Sequence, residues 1–140
     1  MSIVLSDDPA CINWSELAVV FQRAPLGNRD PDTLRTTFVN SGVRCFAFDG
    51  SVIVGAGRSI TDHVRYAMVL DVVVLPEYQG QGIGTKIMTH LADRSGAENL
   101  VLHAAPGKEA FYELLGYRRM KTAMARFADP ESKRQLGYIE

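Results

Sequence analysis

An apolar segment that runs directly into a glycine-rich turn constrains the fold of this chain most. Residues Tyr66–Leu75 are apolar except at Asp71, and the turn L-P-E-Y-Q-G-Q-G-I-G-T-K follows from Leu75 to Lys86. Residues 82–94 then place isoleucine and leucine four positions apart, as an amphipathic helix does. A continuously apolar run is typical of a strand that is covered on both faces. The pattern predicts a central strand, a tight turn and a helix.

Further elements are predicted on both sides of this unit. Asn13 precedes a helical apolar stripe as an N-cap residue does, and Asp30-Pro31 opens a second helix with proline in its first turn. Asp49-Gly50 is typical of a two-residue hairpin turn. The order is β-α-α-β-β-β-α-β-α-β, a mixed α+β fold with a mainly antiparallel sheet and about four helices. The remaining predicted strands are 3–5, 43–48, 51–60, 99–103 and 117–127, and the last helix is 107–115, with the tail from residue 129 left open.

Length and charge restrict the kinds of partner. A chain of 140 residues has the size of one domain, which we place at 1–140. Fifteen basic and sixteen acidic residues give a net charge of -1, so we expect neither nucleic acid nor an anionic membrane as a partner. An anionic ligand would have to be held locally.

The compartment is predicted from the termini and the cysteines. The sequence begins Met-Ser-Ile-Val without a basic segment and a long apolar stretch, so neither secretion nor a membrane span is expected. Cys11 and Cys45 show no metal-ligand spacing and are expected to be reduced thiols of a cytoplasmic protein.

Two familiar phosphate motifs do not fit the glycine turn. The P-loop pattern fails because Gly84 is followed by Thr85 and only then by Lys86, and the dinucleotide fingerprint fails because Ile87 stands where its third glycine belongs. What remains is a strand, a proline turn and glycines that lead into a helix. Such a turn can direct backbone N–H groups and the positive end of the helix dipole at an oxyanion. The alternative is a tight turn that serves packing alone.

The wider pattern resembles a known family. The segment V-x-P-x-x-Q-x-x-G-x-G, from Val74 to Gly84, resembles the coenzyme A loop of the GNAT superfamily, the GCN5-related N-acetyltransferases. The segment F-Y-E-L-L-G-Y, from Phe111 to Tyr117, resembles a second signature of that superfamily. The likeness covers residues 43–127.

The resemblance implies acetyl-coenzyme A as cosubstrate and assigns its contacts. Backbone amides from Gly80 to Thr85 would hold the pyrophosphate, and the strand at Val72–Val74 would pair with the pantetheine arm. It also implies that this strand diverges from the next one, Asn99–His103, with the thioester between them. The cofactor-binding residues are thus predicted to be Val72, Val73, Val74, Gln79, Gly80, Gln81, Gly82, Ile83, Gly84 and Thr85.

Tyr112 is the predicted proton donor. Phe111, Leu114 and Leu115 form a helical stripe expected to face the core, and Tyr112 projects away from it. The resemblance implies that this tyrosine protonates the departing sulfur, whereas the alternative is a packed aromatic ring. The pattern departs from many family members at Ala105, where they carry asparagine, which puts one pantetheine contact in doubt.

Asp71 is the second catalytic candidate, because a carboxylate on a buried strand needs an explanation. It either orders a water that takes the amine proton, or binds a substrate cation, or pairs with an arginine or a neighbouring strand. Glu77 is a weaker candidate for the base that takes the amine proton. His103 is a weaker candidate for a residue that lines the gap where the thioester would lie. His63, His90 and His103 lack ligand spacing, so no metal is expected.

The resemblance therefore implies transfer of acetyl from acetyl-coenzyme A to a primary amine by direct attack in a ternary complex. Residues 13–41 would form the acceptor side and residues 66–127 the acetyl-coenzyme A core. A small-molecule amine is the predicted acceptor, and a homodimer is an expectation from the family alone. The alternatives are a non-catalytic acyl-coenzyme A binding or sensing module and a peptide or protein N-acetyltransferase with an open groove.

Overall fold

A computed structural model describes residues 2–140, which fall into two compact units. The first unit ends at Leu102 and contains the whole sheet; the second runs from His103 to Glu140. Short 3-10 turns lie at Pro9–Cys11 and Pro76–Tyr78. The strands are β1 (Ile3–Ser6), β2 (Val43–Asp49), β3 (Val52–Thr61), β4 (Tyr66–Val74) and β5 (Asn99–Val101), and the helices are α1 (Trp14–Arg23), α2 (Pro31–Val39), α3 (Ile83–Ser95), α4 (Glu109–Leu114) and α5 (Pro130–Leu136).

The sheet has the order β1-β2-β3-β4-β5. Neighbouring strands pair antiparallel except β4 and β5, which are parallel, so the predicted mixed α+β class and mainly antiparallel sheet are confirmed. None of the helices in residues 2–140 is long and apolar enough to cross a membrane.

The predicted helix starts of the first unit are confirmed by their caps. The Asn13 side chain accepts hydrogen bonds from the backbone N–H groups of Ser15 and Glu16, and Asp30 accepts one from Thr33 N. Each cap satisfies donors that would otherwise lack an intrahelical partner. These caps fix where α1 and α2 begin. The hairpin turn lies one residue later than predicted, at Gly50-Ser51, because Asp49 still pairs with Val52.

Helices cover both faces of the sheet. Phe46 on β2 packs against Trp14 and Phe38 of α1 and α2. Gly57 on β3 faces the other way, towards α3: a Cβ there would lie 2.8 Å from Ile87 Cγ2 and 3.0 Å from Leu91 Cδ1. The glycine that weakens the strand by its propensity therefore allows α3 to approach the sheet closely.

We expect Gly57→Ala to lower the free energy of unfolding by about 1–3 kcal/mol, because the added methyl group overpacks the contact with α3. Gly50→Asn is the matched control, since nothing lies within 4 Å of a Cβ at Gly50 and asparagine tolerates its φ of +61°. Urea denaturation of both variants measures the difference. If both variants were equally stable, α3 would move to accommodate the added methyl group without lowering the free energy of unfolding.

Three expectations are wrong in detail. Residues 117–127 form no strand, and the tail, which the sequence leaves open, contains α5 as a fifth helix among the described residues. Strand preference reflects packing against a neighbouring strand, which a local pattern does not supply. Leu114 does not face a core, since 88% of it is exposed. β4 is not covered on both faces along its whole length: its first four residues alternate, with Ala67 and Val69 buried and Met68 exposed.

Candidate active site

β4 has an edge without a strand partner next to the predicted cofactor loop. Its parallel pairing with β5 ends at Met68 and Val101, whereas its pairing with β3 continues to Val74. Val72–Val74 therefore have β3 on one side only. An exposed strand edge can bind an extended ligand by main-chain hydrogen bonds, as the pantetheine prediction requires.

A β-bulge lies in β4 at Asp71. Ala56 pairs with Val73 and Arg58 with Leu70, so Gly57 stands opposite two residues, Asp71 and Val72. Asp71 has a φ of +57°, a left-handed conformation that aspartate tolerates better than most residues. The bulge redirects the strand just where the predicted pantetheine edge begins.

The Asp71 carboxylate is held by two arginines. Arg58 Nε donates to Oδ2 at 2.7 Å, and Arg29 Nη2 donates to Oδ1 at 3.1 Å. Only 10% of the Asp71 side chain is exposed. Burial raises the pKa of Asp71, but the hydrogen bonds and charges of Arg58 and Arg29 outweigh it and hold that pKa below the usual value. The observed ion pairs agree with the structural alternative for Asp71, and its catalytic role stays a prediction.

We expect Asp71→Asn to lower the free energy of unfolding at pH 7 by about 3 kcal/mol, because it leaves two partly buried guanidinium groups without their carboxylate. Asparagine keeps the shape of the side chain and tolerates the left-handed backbone. A lowered pKa stabilises the protein above the pKa of the unfolded state, about 3.9, and this contribution is lost as the pH falls through the folded value.

Urea denaturation from pH 7 to pH 3 tests this expectation. The difference between wild type and Asp71→Asn should shrink below about pH 4. A difference that stays constant over this range would contradict the ionised pair.

The glycine turn leaves the start of α3 open. Gly80 and Gly82 have φ values of +77° and +81°, and Gly82 caps the helix without a side-chain hydrogen bond to it. A Cβ at either glycine would meet no other atom within 4 Å. The first N–H groups of a helix have no intrahelical acceptor, so they are available to an anion. The turn thus fits the pyrophosphate of coenzyme A.

Side chains of the turn anchor it to the first unit. Gln79 Nε2 donates to Val74 O at 2.9 Å, so this side chain braces the turn against the end of β4. Glu77 accepts two hydrogen bonds from Arg23 of α1, which hold the pKa of Glu77 below its usual value. Tyr78 donates to Asp49 at 2.7 Å. The prediction of Glu77 as a base loses support, because its carboxylate is paired with Arg23 and its lowered pKa makes it weakly basic.

Tyr112 lies in the second unit, on α4. Its half-buried ring packs edge-on against Phe111 and Tyr117, at centroid distances of 4.9 and 6.2 Å. Burial, with smaller effects of Tyr117 and Tyr138, raises the pKa of Tyr112 above its ordinary value of 10.0. The phenol is therefore protonated at neutral pH and able to donate. The other predicted site residues all belong to the first unit.

Other nucleophiles and ligands are dispersed. Both cysteines are free, and burial, with a smaller effect of Asp7, raises the pKa of Cys45 to about 12, so its thiol is not ionised at neutral pH. In residues 2–140 no three His, Cys, Asp or Glu side chains are grouped to hold a metal ion. His103 packs against Phe127 and Tyr138 within the second unit.

The sequence leaves an arginine as one possible partner of Asp71, but it does not identify Arg58 or Arg29 as that partner. The available signal was the strand alternation, which turns Arg58 away from Gly57 and towards the face that carries α1 and α2. No periodicity predicts Arg29, because it lies in the connection between these two helices.

Comparison with known proteins identifies the family. The family model described as an acetyltransferase (GNAT) domain matches residues 41–119. The chain therefore belongs to the GNAT family. A serotonin N-acetyltransferase 2, chloroplastic, from Oryza sativa subsp. japonica is 34% identical over 126 residues, which are 84% of this chain and 62% of that protein.

The other relatives agree with this assignment. A GCN5-related N-acetyltransferase 2, chloroplastic, from Arabidopsis thaliana is 34% identical over 56% of this chain and 28% of its own length. A GNAT-family acetyltransferase structure from Streptococcus pneumoniae has a TM-score of 0.74 at 22% identity and covers 91% of this chain and 100% of its own. The chain thus spans less than two thirds of the two curated plant relatives.

Proposed function

We propose that the protein transfers the acetyl group of acetyl-coenzyme A to a primary amine on a small molecule, by direct attack within a ternary complex. The observation that carries the proposal is the start of α3 at Gly82, which no side chain caps, beside the edge of β4 that β5 leaves unpaired. Family membership supports the same donor. Bound acetyl-coenzyme A supplies an activated acetyl group as its thioester.

In this proposal the first unit binds and orients the donor. Amides from Gly80 to Thr85 hold the pyrophosphate, and Val72–Val74 offer main-chain groups to the pantetheine arm. Gln79 and Gln81 contribute by holding the turn, since their side-chain amides donate to Val74 O and Glu77 O. No metal is required for this chemistry.

Tyr112 is the proposed proton donor. Tyr112 keeps its proton at neutral pH and gives it to the departing sulfur, and the phenolate then regains a proton from the solvent, which also takes the proton that the amine loses. The sequence leaves three roles open for Asp71: it orders a water that accepts the amine proton, binds a substrate cation, or pairs with an arginine or a neighbouring strand. Since both of its oxygens accept from arginine and its pKa is lowered, we assign it first to positioning those arginines.

A small acceptor is supported by the name of the rice relative, which acts on serotonin. A peptide acceptor and a non-catalytic coenzyme A binding module are outcomes that the test distinguishes. A homodimer and a cytoplasmic location remain predictions; the two plant relatives are named as chloroplastic.

The test is an assay of thiol release from acetyl-coenzyme A over a panel of small amines, serotonin and N-terminal peptides, with mass spectrometry of the products. We expect acetylation of small amines well above the protein-free rate. Binding of acetyl-coenzyme A without any product would favour the binding module. Turnover of peptides alone would contradict the small-molecule acceptor.

A further inference from the structure

Arg29, Arg58 and Asp71 form a compact charged cluster at the β4 bulge. Two guanidinium groups and one carboxylate leave this cluster with a charge of +1. Each Asp71 oxygen already accepts from one arginine, at 3.1 and 2.7 Å. The carboxylate is therefore poorly placed to bind a further cation from a substrate.

The two arginines differ in their exposure and in how many of their guanidinium donors bond to other protein groups. Arg58 is 15% exposed and also donates to Ser41 Oγ, so it is held on two sides. Arg29 is 32% exposed, and within residues 2–140 its hydrogen bonds, to Asp71 and to Leu26 O, both use Nη2. The donors on its Nε and Nη1 remain for a ligand.

Arg29 is also fixed in direction. Its guanidinium lies over the Phe21 ring, with Cζ 4.8 Å from the ring centroid, and Nη2 of the same group is bonded to Asp71. A guanidinium oriented in this way loses little rotational freedom when it binds an oxyanion. The residue lies in the connection between α1 and α2, and Asp71 adjoins the proposed pantetheine edge at Val72.

We infer that the acceptor is an amine that carries an anionic group, a carboxylate or a phosphate, and that Arg29 binds this group. The inference rests on the proposed function and specifies its substrate class. The net positive charge of the cluster attracts such an anion and disfavours a second ammonium group. It predicts a better acceptor than serotonin, which has no anionic group.

The experiment compares small amines that differ in charge. The first set is 4-aminobutyrate, butylamine and putrescine, and the second is O-phosphoethanolamine and ethanolamine. We expect the kcat/KM of at least one anionic amine to exceed that of its neutral counterpart by about tenfold or more, the usual effect of one charge-assisted contact. The two sets separate a carboxylate from a phosphate as the preferred anion.

Arg29→Gln should raise the KM for the anionic amine about tenfold, with kcat and the neutral amine changed less than twofold. Arg29→Lys should restore part of the loss. Arg35→Gln is the control, because Arg35 is exposed on α2 and Asp71 pairs with Arg29 and Arg58 instead. Thermal stabilisation by acetyl-coenzyme A should persist in all three variants, which shows that folding and donor binding are intact.

Preference for butylamine or putrescine, or an Arg29→Gln effect equal for charged and neutral amines, would overturn the inference and leave acetyl transfer standing. The inference would also be wrong if acetyl-coenzyme A bound and none of the five amines were acetylated. Absence of acetyl-coenzyme A binding by the wild type would instead refute the proposed function, and the inference with it.

Discussion

Tyr112→Phe is expected to lower kcat about 100-fold while the affinity for acetyl-coenzyme A changes less than twofold. The substitution removes the hydroxyl that would protonate the departing sulfur, and general acid catalysis typically contributes a factor of this order. The ring and its packing against Phe111 and Tyr117 are retained, so the fold should be unaffected.

The pH dependence adds a second check. Because burial raises the pKa of Tyr112, its proton remains in place through pH 9, and deprotonation of this group should not reduce the wild-type rate below that pH. Single-turnover measurements ensure that chemistry limits the rate. Tyr117→Phe is the control, since it removes a neighbouring hydroxyl from the same unit. Equal single-turnover rates for wild type and Tyr112→Phe would remove Tyr112 from the role.

Gly82→Asp is expected to weaken coenzyme A binding more than 100-fold, because the substitution places a carboxylate where the pyrophosphate would bind. The folded protein should persist, because a Cβ at Gly82 meets no other atom within 4 Å and aspartate tolerates left-handed backbone. In the free protein the substitution lowers the free energy of unfolding by about 1–2 kcal/mol through backbone strain. The favourable position of an anion at a helix start offsets part of this loss.

Gly82→Asn is the matched variant, with the same shape and backbone preference and no charge. Its affinity for coenzyme A, measured by calorimetry, should lie between those of wild type and Gly82→Asp, and the difference between the two variants measures the repulsion. Coenzyme A binding by Gly82→Asp at wild-type affinity would mean that the turn does not hold the pyrophosphate.

The local signals in the sequence were sufficient for the caps, the sheet class and the glycine turn. Asn13 and Asp30 act within a few residues of where they stand, so spacing alone predicts the two caps, and α3 begins at Gly82 where the helical spacing begins. Gly96 also acts locally, because its left-handed backbone ends α3.

Features that depend on distant neighbours could not be predicted. The bulge at Asp71 depends on the register of β4 against β3, and the ion pairs join Asp71 to Arg29, 42 positions earlier, and to Arg58. Residues 117–127 favour strand locally, yet they form none, because a strand needs a partner that the sequence pattern does not provide. Of the candidate site, the sequence pattern therefore predicted the glycine turn and left Asp71 with alternatives.

The most direct test of the central claim is thermal unfolding of the protein alone and with acetyl-coenzyme A, coenzyme A, ATP or NADH. A ligand at 100 times its dissociation constant adds about 2.7 kcal/mol to the free energy of unfolding. We predict a rise in the midpoint temperature with the two coenzyme A species and a smaller one or none with ATP and NADH. Stabilisation by ATP or NADH alone, or by none of the four, would contradict the account.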